Sequence, residues 1–338
     1  MKRLIIFDLE GPLSPMDHAS SSMGLIEGGE KIFAVISRYD DLLTLEGKEG
    51  YEPGDTLSLI IPFLLSYGIT EEDLREVSHQ APMVQGAKEL VTILRQDGWQ
   101  VYIASTSYEQ HALNIGREVG VSEENIFCTP LKLSQFHELG NEEDFSFIRT
   151  RGQYILENLY SHNLNKGVKD KLIRPYLDRF FWHDLPQTAL GQVLKQIRVM
   201  GGRRKVRAVE AVLRKNDAYL NEVVVVGDSI TDFQMLRAVE AAGGLAIVFN
   251  GNQYALPHGT VGLATSNIKD LLFILKEWLD GGREKIRLAL DRMLEPQSDR
   301  GPFYHWLAGK RSDELDNILN IHKKMRTLVR GEAAAMLG

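Results

Sequence analysis

The sequence has a single cysteine, Cys128, among its 338 residues. An internal disulfide is therefore excluded, and such sparing use of cysteine is typical of a reducing compartment. Long apolar runs are also missing. The longest, residues 57–65, is interrupted by Pro62, whereas a membrane-spanning helix needs roughly 18 apolar residues. The N-terminus has no apolar stretch of signal-peptide length, so we expect a cytoplasmic protein without membrane insertion.

An excess of basic residues is missing as well. The chain carries 39 lysines and arginines against 46 aspartates and glutamates, a formal net charge of −7. A nucleic-acid-binding surface normally carries clustered basic residues, so we expect no nucleic-acid partner. With 43% hydrophobic and 25% charged residues, the composition is typical of a globular protein with room for one large domain or a few modules.

Short apolar runs ended by polar or turn residues predict four buried parallel strands, at residues 3–7, 100–104, 222–226 and 244–249. Amphipathic helical patterns lie between them, at residues 87–96, 205–214, 232–242 and 268–279. Strands that alternate with helices indicate an α/β fold with a doubly wound parallel sheet.

Two long segments interrupt this alternation, residues 16–80 and residues 132–198. Both are too long to be simple loops of a compact sheet protein, and their helical patterns predict inserted helical subdomains: a cap and a second helical insertion. The catalytic core is then predicted in three pieces, residues 1–15, 81–131 and 199–280. The pattern of residues 281–338 predicts a helical C-terminal extension that is split at Pro296 and Pro302.

Two pairs of carboxylates follow predicted strands. Asp8 and Glu10 come after the first strand in FDLEGPL, and Asp228 and Asp232 come after the third in VVVVGDSITD. The carboxyl ends of neighbouring parallel strands meet at one edge of the sheet, where such folds bind ligands. Four carboxylates meeting there would repel one another without a cation, and oxygen ligands of this kind suit Mg²⁺. We therefore predict a Mg²⁺ site formed by all four residues, with Glu10 using its backbone carbonyl.

The same residues predict phosphoryl-transfer chemistry. Asp8 can act as a nucleophile that forms an acyl-phosphate, and Glu10 can protonate the leaving oxygen and then activate water. Ser105, at the end of the second predicted strand, could bond a phosphate oxygen, and Thr106 could take its place. Lys205, at the start of a predicted helix, could hold phosphate and nucleophile as a fixed positive charge.

Each residue alone also has an ordinary structural explanation. Asp8 and Glu10 could form a surface turn, Asp228 and Asp232 could begin a helix, and Lys205 could be a solvated helix residue. Their order along the chain, with the acids and Ser105 at the ends of apolar runs, is what favours a phosphohydrolase site.

This ordered set resembles the haloacid dehalogenase superfamily of phosphohydrolases. The segments that carry the resemblance are DLEG, the strand-ending Ser105, Lys205 and GDSITD, and VQGAKELVTILRQDGWQVYIAS (residues 84–105) is similar to the phosphoserine phosphatase-like branch. YDDLL, GYEPGDTL and AIVFNGN resemble a little-characterised group that is frequent in archaea, some of whose members are labelled as associated with an energy-converting hydrogenase. The resemblance covers roughly residues 1–130 and 200–280.

The resemblance implies that helical insertions act as lids and supply specificity. A carboxylate at about the position of Asp17 reads the substrate amine in phosphoserine phosphatases, although Asp17 beside Pro15 could equally be a turn residue. Glu10 departs from the aspartate usual at that position, a departure found in a group with phosphotransferase activity. Independently of the resemblance, Arg38 could pair with a substrate carboxylate or be a surface cation.

We therefore expect a Mg²⁺-dependent phosphatase that acts on a small phosphorylated metabolite through an aspartyl-phosphate. A phosphotransferase that passes the phosphoryl group to an alcohol uses the same residues. A third alternative is a non-catalytic accessory subunit, with residues 281–338 as a docking element for a protein partner or a second copy of the chain. The intact set of Asp8, Glu10, Lys205 and Asp228 argues against it, because a site without activity has no physical reason to keep these carboxylates together.

Overall fold

The computed structural model describes residues 2–160, 166–293 and 298–335. Residues 161–165 of the second insertion, and residues 294–297 and 336–338 of the extension, lie outside the described part, and with them the predicted break at Pro296. Within the described residues, no helix is both long and apolar enough to cross a membrane.

A seven-stranded sheet forms the centre of the molecule, in the order β3-β2-β1-β4-β5-β6-β7. Six strands are parallel, and β7 joins the edge antiparallel to β6. The first strand lies between β2 and β4, with Phe7 level with Ile103 on one side and Val226 on the other. The strands are β1 (Leu4–Phe7), β2 (Gln100–Tyr108), β3 (Ile126–Thr129), β4 (Val223–Gly227), β5 (Leu245–Phe249), β6 (Val261–Ala264) and β7 (Phe303–Trp306).

Helices cover both faces of the sheet and form the insertions. Those before β4 are α1 (His18–Met23), α2 (Gly29–Leu45), α3 (Thr56–Ser66), α4 (Glu71–His79), α5 (Ala87–Gln96), α6 (Glu109–Val119), α7 (Ser134–His137), α8 (Glu142–Tyr154), α9 (Lys166–Arg179), α10 (Gly191–Gln196) and α11 (Arg203–Lys215). The later ones are α12 (Phe233–Ala241), α13 (Leu271–Leu290, interrupted at Gly281 and Gly282), α14 (Ser312–Arg330) and α15 (Glu332–Ala335). The doubly wound α/β fold expected from the alternation of elements is confirmed.

The buried side chains form three clusters. Two lie on opposite faces of the sheet, because alternate residues of a strand point to opposite sides: Ile5 and Phe7 belong to one cluster, Leu4 and Ile6 to the other. The third cluster lies in the insertions and combines side chains from residues 19–74 with side chains from residues 131–199. The two insertions therefore share one hydrophobic core and form a single helical body beside the sheet.

Three strands were not predicted from the sequence, and one of them corrects a prediction. The C-terminal extension was expected to be helical, but Phe303–Trp306 forms β7 at the edge of the sheet. This strand has no fully buried residue, so it lacks the continuous apolar run by which the central strands are recognised. The other two, β3 and β6, have four residues each. The second strand also runs to Tyr108, beyond its predicted end at residue 104.

Candidate active site

The predicted carboxylates meet at the carboxyl ends of β1 and β4. The backbone N–H of Asp8 donates to the carbonyl of Val226 at 2.7 Å, so the residue continues the strand pairing, and Asp228 follows β4 directly. Side chains of Asp8, Asp228 and Asp232 are all buried and offer oxygens within 4.8 Å of one another. Neighbouring strand ends thus bring three of the predicted metal ligands together.

Lys205 neutralises part of this cluster. It lies in the first turn of α11 and is fully buried, and its Nζ is 2.8 Å from Asp8 Oδ1 and 2.7 Å from Asp232 Oδ1. Burial alone would lower the pKa of Lys205, but the charges of Asp232 and Asp8 outweigh burial and raise it. The lysine is therefore a permanent cation between the two carboxylates, as predicted for a residue that holds the nucleophile.

Asp8 needs that cation to stay ionised. Burial, reinforced by the negative charge of Asp232, raises the pKa of Asp8 well above its usual range, and Lys205 opposes the rise. The backbone N–H of Leu9 donates to Asp8 Oδ1 at 2.7 Å and favours the charged form further. A second cation beside Asp8 would complete its ionisation.

The donor set fits a magnesium ion. Within the described residues, Asp228 Oδ1 is a buried oxygen without a hydrogen-bond partner, a costly arrangement unless a cation binds it. Gly11 allows the carboxylate to lie there, because a Cβ at this position would be 2.3 Å from Asp228 Oδ2. Asp232 Oδ2 accepts the backbone N–H groups of Asp228 at 3.0 Å and Ser229 at 3.2 Å, which fixes the loop. Hard carboxylate oxygens at such spacing suit Mg²⁺.

Glu10 lies beside this centre and has the properties of a general acid and base. Its Oε1 accepts the Ser107 hydroxyl at 2.6 Å and the backbone N–H of His18 at 3.1 Å. Burial, with the charge of Asp17 second, raises the pKa of Glu10 to about 7. A carboxyl group with this pKa can both give and take a proton near neutral pH. Its side chain is not part of the three-carboxylate cluster, and the use of its backbone carbonyl as a metal ligand stays a prediction.

The hydroxyl groups of Ser105 and Thr106, at the end of β2, have different surroundings. Ser105 is buried, donates to Ser107 Oγ at 3.0 Å and accepts the backbone N–H of Ser107 at 3.1 Å. Thr106 and Ser107, rather than Ser105, line the cavity in front of Asp8. Thr106 Oγ1 is buried and has no hydrogen-bond partner among the described residues. Of the two hydroxyls predicted to bond a phosphate oxygen, Thr106 is the one that faces the cavity.

Asp17 and Arg38 lie along the route into the site. Asp17 caps α1 by accepting the backbone N–H of Ser20 at 2.8 Å, and it also lines the cavity. Arg38 lines a larger groove, where Asp170 holds its guanidinium at 2.7 and 2.8 Å and Asp41 at 3.2 Å. Asp17 therefore both caps α1 and lines the cavity of the site. Arg38, in contrast, already pairs with two carboxylates of the protein.

The loop of residues 50–55 lies between the helical insertions and the sheet domain. Asp40 on α2 organises this loop by accepting the Tyr51 hydroxyl at 2.6 Å and the backbone N–H of Gly54 at 3.1 Å. Asp55 in turn pairs with Arg204, next to Lys205, at 2.5 Å. The loop thus joins the helical body to the first turn of α11 at the site.

A cavity of about 70 Å³ lies between the core and the cap and has room for a phosphoryl group or a few water molecules. It shares Asp17, Ser37 and two arginines of α14 with an adjoining groove of about 1520 Å³. The small cavity suits the reacting group, and the groove suits whatever is attached to it.

No protein-family model matches the chain. A curated phosphoserine phosphatase from Archaeoglobus fulgidus is 22% identical over 278 residues, which cover 81% of this chain and 60% of the relative. The chain thus spans about 60% of the length of the curated relative that it matches. Among solved structures, a gene product from Archaeoglobus fulgidus has a TM-score of 0.83 and 25% identity, with 100% of this chain and 99% of the other covered. A substrate-bound phosphoserine phosphatase has a TM-score of 0.52 and 15% identity, with 81% and 98% covered.

The chain is therefore similar in sequence to a phosphoserine phosphatase and shares the fold of a solved one, which fits the phosphoserine phosphatase-like branch of the haloacid dehalogenase superfamily. The family resemblance carried by the sequence segments around Asp8, Lys205 and Asp228 is thereby confirmed.

Two further residues enter the site from the C-terminal extension. Arg326 and Arg330, on α14, both form ion pairs with Asp228 Oδ2, Arg330 at 3.0 Å. Their side chains are 2% and 5% exposed. The sequence-based reasoning missed them because it read α14 by its apolar stripe. The available signal was the spacing of His322, Arg326 and Arg330, which places three basic side chains on one face of the helix.

Proposed function

We propose that the protein is a Mg²⁺-dependent phosphatase that hydrolyses a small phosphorylated metabolite through an aspartyl-phosphate on Asp8. The observation that carries the proposal is the buried cluster of Asp8, Asp228 and Asp232 with Lys205 bridging two of its members at 2.7–2.8 Å. Such a cluster is expensive to bury, and its position at the strand ends is where open α/β sheets bind ligands.

The residues divide the reaction between them. Asp8 attacks phosphorus, and the bond between phosphorus and the leaving oxygen breaks while Glu10 gives that oxygen a proton. Glu10, now a carboxylate, takes a proton from the water that attacks the aspartyl-phosphate, and phosphate and free Asp8 result. Its pKa of about 7 suits both halves of this cycle. Lys205 and the Thr106 hydroxyl, which has no hydrogen-bond partner among the described residues, would bind phosphoryl oxygens.

Asp8, Asp228 and the backbone carbonyl of Glu10 would hold the magnesium ion, with Asp232 fixing the loop behind Asp228. Bound there, the ion would neutralise charge on the transferring phosphoryl group. The residues themselves orient the nucleophile, supply the proton and exclude bulk water.

Phosphoserine is the first substrate to test, because the curated relative is named a phosphoserine phosphatase. Asp17 at the mouth of the cavity is suited to bind an amine of the substrate, and the shared groove would take the leaving group. Arg38 remains a candidate for a substrate carboxylate, although that role requires it to exchange Asp170 or Asp41 for the substrate. A cytoplasmic location remains a prediction from the sequence, as does a protein partner or a second copy of the chain at the C-terminal helices.

A screen of phosphorylated metabolites, with phosphoserine among them, tests the proposal in Mg²⁺ and in excess chelator. We expect phosphate release in Mg²⁺ and its loss with chelator. Full activity in chelator, or no phosphate release from any substrate including a small aryl phosphate, would refute it. Repeating the assay with an added alcohol and analysing the products separates hydrolysis from phosphoryl transfer.

A further inference from the structure

The C-terminal helix α14 contacts the metal-ligand candidate Asp228 directly. Arg326 Nη1 and Arg330 Nη1 converge on the same oxygen, Asp228 Oδ2, and Arg326 also lies 3.4 Å from the Asp228 carbonyl. The other carboxylate oxygen, Oδ1, is buried and has no hydrogen-bond partner among the described residues. One oxygen is therefore held by the helix while the second is left for a cation.

Hydrogen bonds to the backbone hold α14 in place, so the two arginines contact Asp228 from a fixed position. One turn before Arg326, His322 Nδ1 accepts the backbone N–H of Gly251 at 2.9 Å. Arg326 Nε donates to the carbonyl of Ala335 at 3.0 Å, and Arg330 Nε donates to the carbonyl of Pro15 at 3.2 Å. Each guanidinium is thus tied at one end to backbone and at the other to Asp228, a geometry that fixes the direction of the carboxylate.

We infer that Arg326 and Arg330 are positioning residues for the metal site, which makes the C-terminal extension a part of the active centre. The inference rests on the proposed Mg²⁺-dependent function. Holding Oδ2 prevents the Asp228 carboxylate from rotating and keeps Oδ1 directed at the cation. Partners that orient metal ligands in this way commonly raise metal affinity by 10–100-fold.

The arginines affect Mg²⁺ binding in two opposing ways. As positive charges they repel the cation, so removing one would tighten binding if charge alone mattered. As hydrogen-bond partners they orient the Asp228 carboxylate, so removing one should weaken binding. We expect orientation to dominate, because Arg326 is almost completely buried and its loss leaves Arg330 alone to hold Asp228 Oδ2.

The test is a calorimetric titration of the full chain with MgCl₂ alone, without substrate. The variants are Arg326→Met, which keeps side-chain bulk but no donor, and Arg326→Lys, which keeps the charge but loses the fork. Lys323→Met is the matched control, since it removes a positive charge from the exposed side of the same helix. We expect Mg²⁺ binding at least about tenfold weaker in Arg326→Met, an intermediate value in Arg326→Lys, and no change in Lys323→Met.

Unchanged or tighter Mg²⁺ binding in a folded Arg326→Met variant would overturn the inference and leave the proposed phosphatase intact. Absence of Mg²⁺ binding by the wild-type chain would instead overturn the proposed function, and the inference with it. If Arg326→Met does not fold, Arg330→Gln removes the 3.0 Å partner of the same oxygen from the last turn of α14 and gives the same test with the same expected direction.

Discussion

Replacing Lys205 with methionine should destabilise the fold by about 3–5 kcal/mol, the usual cost of removing one partner from a buried ion pair. The lysine is fully buried between Asp8 and Asp232, at 2.8 and 2.7 Å. At an effective dielectric constant of about 20, each contact is worth roughly 6 kcal/mol before desolvation is subtracted. Desolvation of three charges offsets most of this sum in the wild type, but the variant keeps the buried carboxylates and loses the attraction.

The pH dependence of the loss distinguishes this cause from a simple packing defect. Burial and Asp232 already raise the pKa of Asp8, and loss of Lys205 should raise it further. The folded variant then binds a proton more tightly than the unfolded chain does, so its stability falls as pH rises through the range between the two pKa values. The difference in stability between wild type and variant should therefore be larger at pH 8 than at pH 5.

Urea denaturation measures the loss of stability and its dependence on pH. The buffer must be free of magnesium, because added Mg²⁺ would replace part of the missing positive charge. Arg207→Met is the matched control, because Arg207 is exposed on the same helix two residues away, and it should stay within about 0.5 kcal/mol of wild type. A loss below about 1 kcal/mol at pH 8 for the Lys205 variant, or an equal loss at pH 5, would show that the two carboxylates do not depend on this cation.

Three further predictions concern Asp8, Asp40 and His18. Asp8→Asn should lower hydrolysis of a small aryl phosphate by more than about a thousandfold with unchanged circular dichroism; activity within tenfold of wild type would contradict its role as nucleophile. Asp40→Asn should cost about 2 kcal/mol of unfolding free energy, because one of the two oxygens that accept the Tyr51 hydroxyl and the Gly54 N–H becomes an amide donor, whereas the exposed Glu49→Gln should cost nothing measurable. Burial lowers the pKa of His18 to about 4, below the value of about 6.5 in an unfolded chain, so its contribution to stability is complete above pH 6.5 and is lost as pH falls. The wild type should lose about 2 kcal/mol more than His18→Gln between pH 7 and pH 5 in urea denaturation, and equal losses would contradict this.

The central strands could be predicted from the sequence because their signal is local. A run such as Val223–Gly227 is buried at every position, and a fully buried strand reads as a continuous apolar run. The edge strand Phe303–Trp306 has partly buried residues throughout, and its pairing with β6 bridges about 40 residues of chain. Nothing local distinguishes such a segment from a loop.

The residues of the site also differ in whether the sequence alone could place them. Asp8 and Asp228 could be placed together from the sequence because both follow strands that lie side by side in a parallel sheet. Arg326 and Arg330 could not, since their place depends on how a terminal helix docks. The apolar positions of α14, such as Met325, show which face is buried, but they do not show that the neighbouring arginines reach the carboxylate that follows β4.

The charge at the centre explains why arginines and a magnesium ion can coexist there. Among the described residues, carboxyl groups and cationic groups are linked around Asp8 and Asp228: Asp8, Glu10, Asp17, Asp228 and Asp232 with Lys205, Arg326 and Arg330. When all five carboxyl groups are ionised, negative charge remains in excess after the lysine and the arginines are counted, so these cations do not replace a divalent cation. A phosphate ester would then add about two negative charges, and like charges at this distance oppose binding. We therefore expect the arginines to offset that added charge in a substrate complex, a role for the end of α14 beyond its packing in the fold.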